Sequence, residues 1–218
     1  MTNQELFSYV DHTLLKPEAT PEQIAALCAE AAEHGTASVC VNGSYVALAK
    51  KLLDGKAKVC AVIGFPLGAM STAAKAFESA EAIRDGADEI DMVIHIGQLK
   101  AGNTDYVLED IKAVKAAIGD HILKVIIETC LLTEEEKITM CRLVTESGAE
   151  YIKTSTGFST GGATVEDIRL FRENISPDLR IKAAGGIRTF EQAQAMLDAG
   201  ADRLGASALV GLAKQMGI

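Results

Sequence analysis

The sequence predicts an α/β protein, a single (β/α)8 barrel spanning residues 1–218 with a short helix ahead of the first strand. Three observations lead there. Eight short apolar segments alternate with helix-like ones along the chain. Those segments are near-continuously apolar, as parallel strands covered on both faces are. A glycine-led pattern also recurs before every second strand: Gly86-Ala87-Asp88, Gly148-Ala149-Glu150, Gly200-Ala201-Asp202 and, more loosely, Gly35-Thr36-Ala37. Its spacing averages about 27 residues per strand-helix unit. A doubly wound open sheet is the competing architecture, but no GxGxxG follows the first strand.

The elements follow in order. Thr2 and Glu5 have capping-box spacing, so a short helix runs to about Val10. Asp11–Leu15 is the first strand. Thr20, Pro21 and Gln23 cap a helix that stops at Gly35. Residues 37–41 form a strand, about 44–53 a helix and 58–65 a strand. Ser71 caps a helix ending at Gly86. Residues 89–95 form a strand, 105–117 a helix and 122–128 a strand. Thr133 with Glu136 opens a helix ending at Gly148. A short strand around Lys153 precedes a helix over 165–174, a strand over 180–184 and a helix capped by Thr189 and Gln192. A strand over 203–205 and a short helix close the chain.

Composition limits the function classes. The 218 residues, 48% hydrophobic, suffice for one sizeable core. A net charge of −9 argues against nucleic acid or an anionic membrane as partner. No apolar run approaches the ~20 residues of a membrane span, and the N-terminus lacks the pattern of a signal peptide. Five cysteines without a CxxC pair suit a reducing cytoplasm. His12 and His95 end strands one and four without HxH or HExxH spacing, so a bound metal is not expected. The oligomeric state is open, with a dimer or tetramer of identical chains compatible.

Chemistry concentrates on Tyr151-Ile152-Lys153-Thr154-Ser155-Thr156-Gly157. Lysine is depleted from strands and rarely buried. At the C-terminal end of a barrel strand it is aimed at the pocket mouth, as an amine nucleophile must be. A lysine on an exposed edge strand is the alternative. Five residues beyond each repeat glycine stand Cys40, Asp91, Lys153 and Gly205. Alternate strands of such a barrel supply one interior layer, so these four are expected to share a layer, with Gly205 leaving room for a substrate.

Lys182 lies on the neighbouring strand. Two ammonium groups ~5 Å apart repel by about 3 kcal/mol at an effective dielectric of ~20. One of the pair is then expected to be neutral near pH 7, with Asp91 relaying protons. A structural Asp-Lys ion pair is the alternative. Gly185-Gly186 and Gly205-Ala206-Ser207 follow strands seven and eight, where such barrels bind phosphate through backbone N–H groups. Lys124 is placed at the start of strand five, away from the active face, and given a structural role. Glu128, at the end of that strand, supports the site from behind, and Cys40 is a pocket wall.

Together, DHTLLKP, EIDMVI, KVIIET, YIKTSTG and KAAGGIRT resemble the deoxyribose-phosphate aldolase family of class I aldolases over nearly the whole chain. The resemblance implies reversible cleavage of 2-deoxy-D-ribose 5-phosphate to D-glyceraldehyde 3-phosphate and acetaldehyde, without a metal or organic cofactor. It implies that Lys153 forms the Schiff base, and that Lys182 tunes it and joins Asp91 in proton transfer. Asp11, Thr13 and Cys40 would line the pocket, and Thr156 and Gly185 would join them in binding substrate. Gly157, Gly186, Gly205 and Ser207 would fall in the phosphate region. Some members carry Lys directly after Thr-Gly, where this chain has Phe158. A phosphosugar epimerase or isomerase barrel, or one that binds phosphosugar without catalysis, are the rival readings.

Overall fold

The computed structural model describes residues 2–216. Eight strands close into a barrel in chain order: β1 (Val10–Leu14), β2 (Ser38–Asn42), β3 (Lys58–Ile63), β4 (Glu89–Val93), β5 (Ile122–Ile126), β6 (Tyr151–Lys153), β7 (Arg180–Ala184) and β8 (Arg203–Ala206). Every neighbouring pair is parallel, including the closing pair of β1 with β8. Ten α-helices accompany them among the described residues. They are α1 (Asn3–Phe7), α2 (Pro21–His34), α3 (Val46–Leu53), α4 (Thr72–Arg84), α5 (Ile96–Lys100), α6 (Thr104–Ile118), α7 (Glu134–Ser147), α8 (Val165–Asn174), α9 (Phe190–Asp198) and α10 (Leu209–Met216). This is a TIM-type (β/α)8 barrel.

Local chemistry explains the boundaries. Capping boxes at Thr2/Glu5, Thr20/Gln23, Thr133/Glu136 and Thr189/Gln192 form as the spacing predicts, and Ser71 caps α4. Gly35 and Gly148 terminate α2 and α7 in the left-handed conformation. The repeat is less uniform at Gly86 and Gly200, which lie one residue beyond the C-caps Asp85 and Ala199. A side chain at Gly200 would press to 2.8 Å from Arg172, which crosses it to reach Asp202. Helix α5 is an addition to the expected order: its five residues follow His95, whose ring accepts from the Gln98 amide.

The strands divide two interiors. Side chains at alternate positions point outward and pack on the helices, among them Val39, Ile90, Met92, Leu123, Val125, Ile152 and Ile181. The inward positions are largely polar, including Asp11, Glu89, Asp91, Lys124, Lys153, Lys182 and Arg203. The near-continuous apolar character expected of the strands therefore holds only for their outer face. No described helix is long and apolar enough to cross a membrane.

A second buried ion pair braces the helices flanking β4. Lys75 on α4 is fully buried with Nζ 2.5 Å from Asp110 Oδ2 on α6, and Thr72 donates to Asp110 Oδ1 at 2.8 Å. Burial depresses the Lys75 ammonium against the pull of that carboxyl group. Removing one partner of such a pair costs about 3–5 kcal/mol, whereas apolar replacement of both is often neutral. Asp110→Ala should therefore destabilise the barrel by that amount in urea unfolding, with Lys75→Met/Asp110→Leu close to the parent. A loss under ~1 kcal/mol for Asp110→Ala would show that the pair is not desolvated in solution.

Candidate active site

The site is built around one carboxyl group. Asp91 sits in the middle of β4, fully buried and facing inward. Its Oδ2 lies 2.7 Å from Lys153 Nζ and 2.7 Å from Lys182 Nζ. Its Oδ1 accepts from Lys124 Nζ at 2.9 Å and from the Cys60 thiol at 3.1 Å. Burial pushes the Asp91 carboxyl up, but Lys124, Lys153 and Lys182 outweigh it and hold Asp91 well below the usual carboxylate range.

A second tier lies beneath. Asp11 on β1 accepts from Lys182, from Arg203 Nη1 at 2.6 Å and from the Ser38 hydroxyl at 2.7 Å. Glu89 takes Lys124 at 2.5 Å and Arg203 at 3.3 Å. Burial opposes ionisation of Asp11, yet Lys182, Lys124 and Arg203 keep its carboxyl below the ordinary range. Lys182 is raised: burial works against its charge, and Asp11 and Asp91 more than restore it. Three carboxyl groups thus face four cationic side chains. Lys153 has a single carboxyl contact among the described residues and, although the residue is only 3% exposed, it lines an open cleft.

That cleft, of about 360 Å³, opens at the C-terminal end of the barrel. Thr13, Thr156, Gly157, Gly185, Gly186, Gly205 and Ser207 all line it with Lys153. Gly185 (φ +83°) allows the β7 loop to touch the β6 loop, since a Cβ there would come within 3.1 Å of Gly162 Cα. Helix α10 begins two residues beyond Ser207, so its positive end lies next to the cleft rim. A larger hollow of about 470 Å³ lies at the opposite end, between Tyr9, Tyr151, Arg172 and Arg180, and contains none of these lysines.

Several expectations change. Asp11 and Cys40 do not line the cleft; both are fully buried beneath its floor, Cys40 packing with Leu15, Cys60 and Val62. Gly205 borders the cleft, but its missing side chain also makes room for protein: a Cβ would lie 2.9 Å from Ala184 Cβ and 3.2 Å from Lys182 Cε. Lys124 is central in β5 and bonded to Asp91, not at a remote strand start. The bare repulsion of two lysines does not describe the site either, because the Asp91 carboxylate stands between them. Two cations at the mouth, Lys16 and Arg188, escaped sequence reasoning. Their signal was adjacency: Lys16 follows DHTLL, and Arg188 follows Gly-Gly-Ile.

Two donor sets bring ligand atoms within 4.8 Å, Cys40–Cys60–Asp91 and Asp11–Cys60–Glu89. The absence of HxH spacing had concealed them. Their carboxyl groups already hold lysine and arginine side chains, so a metal cation there would have to displace those partners.

The sequence profile of the DeoC/LacD family aldolases matches residues 6–217. A deoxyribose-phosphate aldolase of Streptococcus suis is 59% identical over 209 residues, 95% of each chain. Among solved structures, the aldolase QR15 superposes with a TM-score of 0.94 at 40% identity, covering 97% of this chain and 96% of its own. A tetrameric deoxyribose phosphate aldolase from Aeropyrum pernix gives 0.89 at 29% identity, covering 99% and 92%.

The small-residue rim beside α10, with Arg188 and Lys16 near it, has the make-up of an oxyanion site. Inorganic phosphate is expected to bind there. Ser207→Asp adds a like charge and should weaken that binding about tenfold in calorimetric titration, given ~3 kcal/mol at ~5 Å before solvent screening. An unchanged dissociation constant would place the phosphate elsewhere.

Proposed function

The chain belongs to the DeoC/LacD aldolase family, and from that premise we propose that it reversibly cleaves 2-deoxy-D-ribose 5-phosphate through a Schiff base on Lys153. The observation that carries this reading is the lysine pair: Lys153 and Lys182 both contact Asp91 Oδ2 at 2.7 Å, and only Lys153 reaches the cleft. An epimerase or isomerase has no use for such a pair, and a mere binding protein would not need a nucleophile at the floor of its cleft.

The steps follow from the placement. The Lys153 amine, having given up a proton, adds to the C1 carbonyl carbon of the open-chain sugar; loss of water from the carbinolamine leaves the imine. Removal of the C3 hydroxyl proton lets the C2–C3 bond break, its electrons passing into the imine to form an enamine. D-glyceraldehyde 3-phosphate leaves. The enamine takes a proton at C2, and water releases acetaldehyde and restores the amine. Asp91 contacts Lys153 directly, and Lys182 shares the same carboxylate oxygen; we assign these two the proton transfers. Lys182, held charged by Asp11 and Asp91, gives its proton only when a base as strong as a nascent alkoxide or carbinolamine oxygen takes it.

Gly157, Gly185, Gly186 and Ser207 would receive the phosphate, with Thr13 and Thr156 beside the sugar. Phe158, packed edge-on against Phe65 with centroids 5.2 Å apart, gives the mouth an apolar side where some members carry a lysine. We place the activity in deoxyribose phosphate catabolism in the cytoplasm, consistent with five free thiols. The tetrameric Aeropyrum relative supports a homo-oligomer.

The test is reductive trapping. Acetaldehyde with borohydride should add an ethyl group to Lys153, located by peptide mass mapping, and abolish cleavage of the phosphosugar. An adduct confined to Lys182 or to surface lysines would reverse the assignment, and no adduct on a phosphosugar-binding chain would favour the non-catalytic reading.

A further inference from the structure

Glu128 is one of two non-glycine residues with positive φ among the described residues, at +57°. The other, Asp54, merely ends α3. Glutamate gains nothing from the left-handed region, where glycine, asparagine and aspartate are the usual occupants. A non-glycine residue held there needs a surrounding reason, and such residues gather at functional sites. Here the conformation interrupts the ladder between the ends of β5 and β6. Ile127 N donates to Lys153 O at 3.1 Å and Thr129 N to Thr154 O at 2.9 Å, with Glu128 between them.

Its side chain is thereby turned into the molecule, 2% exposed, toward the loop after Lys153. One carboxyl oxygen accepts the Thr156 amide at 3.2 Å, and the other accepts the Thr156 hydroxyl. The same hydroxyl oxygen accepts the Phe158 amide at 3.0 Å. Glu128, Thr156 and Phe158 thus form a chain of hydrogen bonds that brackets Gly157. Among the described residues no backbone–backbone hydrogen bond restrains residues 155–162. Farther along, the exposed Cys130 thiol hydrogen-bonds the loop at Ser159 and Thr160, and Gly162 packs against Gly185. Thr156, Gly157 and Phe158 all line the cleft, and Glu128 does not.

We propose that Glu128 is a positioning residue that sets phosphate selectivity by fixing residues 156–158 against the cleft. The inference rests on the phosphosugar reading above and adds to it the group that shapes one wall of the phosphate region. Glu128 touches no substrate; it acts through Thr156. Two acceptor oxygens are required, because Thr156 offers two hydrogen-bond donors, its amide and its hydroxyl.

Glu128→Gln replaces one acceptor with an NH2 group and breaks the chain at a single atom. Glu128→Asn keeps a residue that tolerates positive φ but is too short to reach Thr156. For each, kcat/KM is measured with 2-deoxyribose 5-phosphate and with 2-deoxyribose, and acetaldehyde trapping on Lys153 is followed in parallel. The ratio of the two kcat/KM values should fall about tenfold in either folded variant, through KM of the phosphorylated sugar, while the lysine continues to be trapped. Glu128→Asp should not restore the ratio, since it too is short. A ratio within twofold of the parent in folded variants overturns the proposal, as does failure of both Gln and Asn variants to fold, which would assign Glu128 to the barrel itself. A parent enzyme that does not prefer the phosphorylated sugar would overturn the phosphosugar reading directly, and the proposal with it.

Discussion

One buried carboxylate sets the terms for the interior of this barrel. An isolated carboxyl group in a water-free site would rise toward neutrality. Asp91 instead receives three ammonium groups and a thiol. Its two oxygens have different partners. Oδ1 is tied by Lys124 and Cys60 to neighbouring strands, which fixes the plane of the group. Oδ2 is shared by Lys153 and Lys182, the residues that meet the cleft floor and the tier beneath it. Moving Asp91 by one position along β4 would turn it to the outer, apolar face, and both lysines would lose their common partner.

Such a network adds little stability by itself, because desolvating charges offsets much of their attraction. The apolar shell between strands and helices carries the fold: Ile90 and Met92, on either side of Asp91, are both fully buried in it. The strand thus anchors itself with the residues on either side and presents chemistry with the residue between them. The same alternation at Ile152–Lys153 and Ile181–Lys182 explains how a rigid, well-packed sheet can hold four cations and three acids inside.

Much of this was legible in the sequence. Capping boxes and helix-ending glycines mark the boundaries because they are local chemistry, and the glycine repeat gives the spacing of alternate strands. That repeat also brought Asp91 and Lys153 together correctly. What it could not give was depth. Asp11 and Lys124 come from odd-numbered strands, which the glycine repeat does not index, and no pattern within one strand reveals how deep their side chains lie. Cys40, expected as a wall, is instead buried by packing with Leu15, Cys60 and Val62 from other segments of the chain, which no single segment reveals. The left-handed turn at Glu128 was hidden for a different reason: no residue type that favours positive φ stands there. Helix α5 is too short for its periodicity to be read.

The most direct measurement is a double-mutant cycle on the pair that shares Lys153, with kcat/KM for 2-deoxyribose 5-phosphate determined for Asp91→Asn, Lys182→Met and the double variant. If the carboxylate and the buried ammonium act as one proton-transferring unit, each single change should cost about 10²–10⁴-fold. The double variant should then lose little more, as groups acting together are non-additive. Lys153 should still be trapped slowly by acetaldehyde and borohydride in Asp91→Asn. Near-parental rates in both single variants, or losses that multiply in the double, would contradict a shared role and return the network to an ion pair that only holds the barrel together.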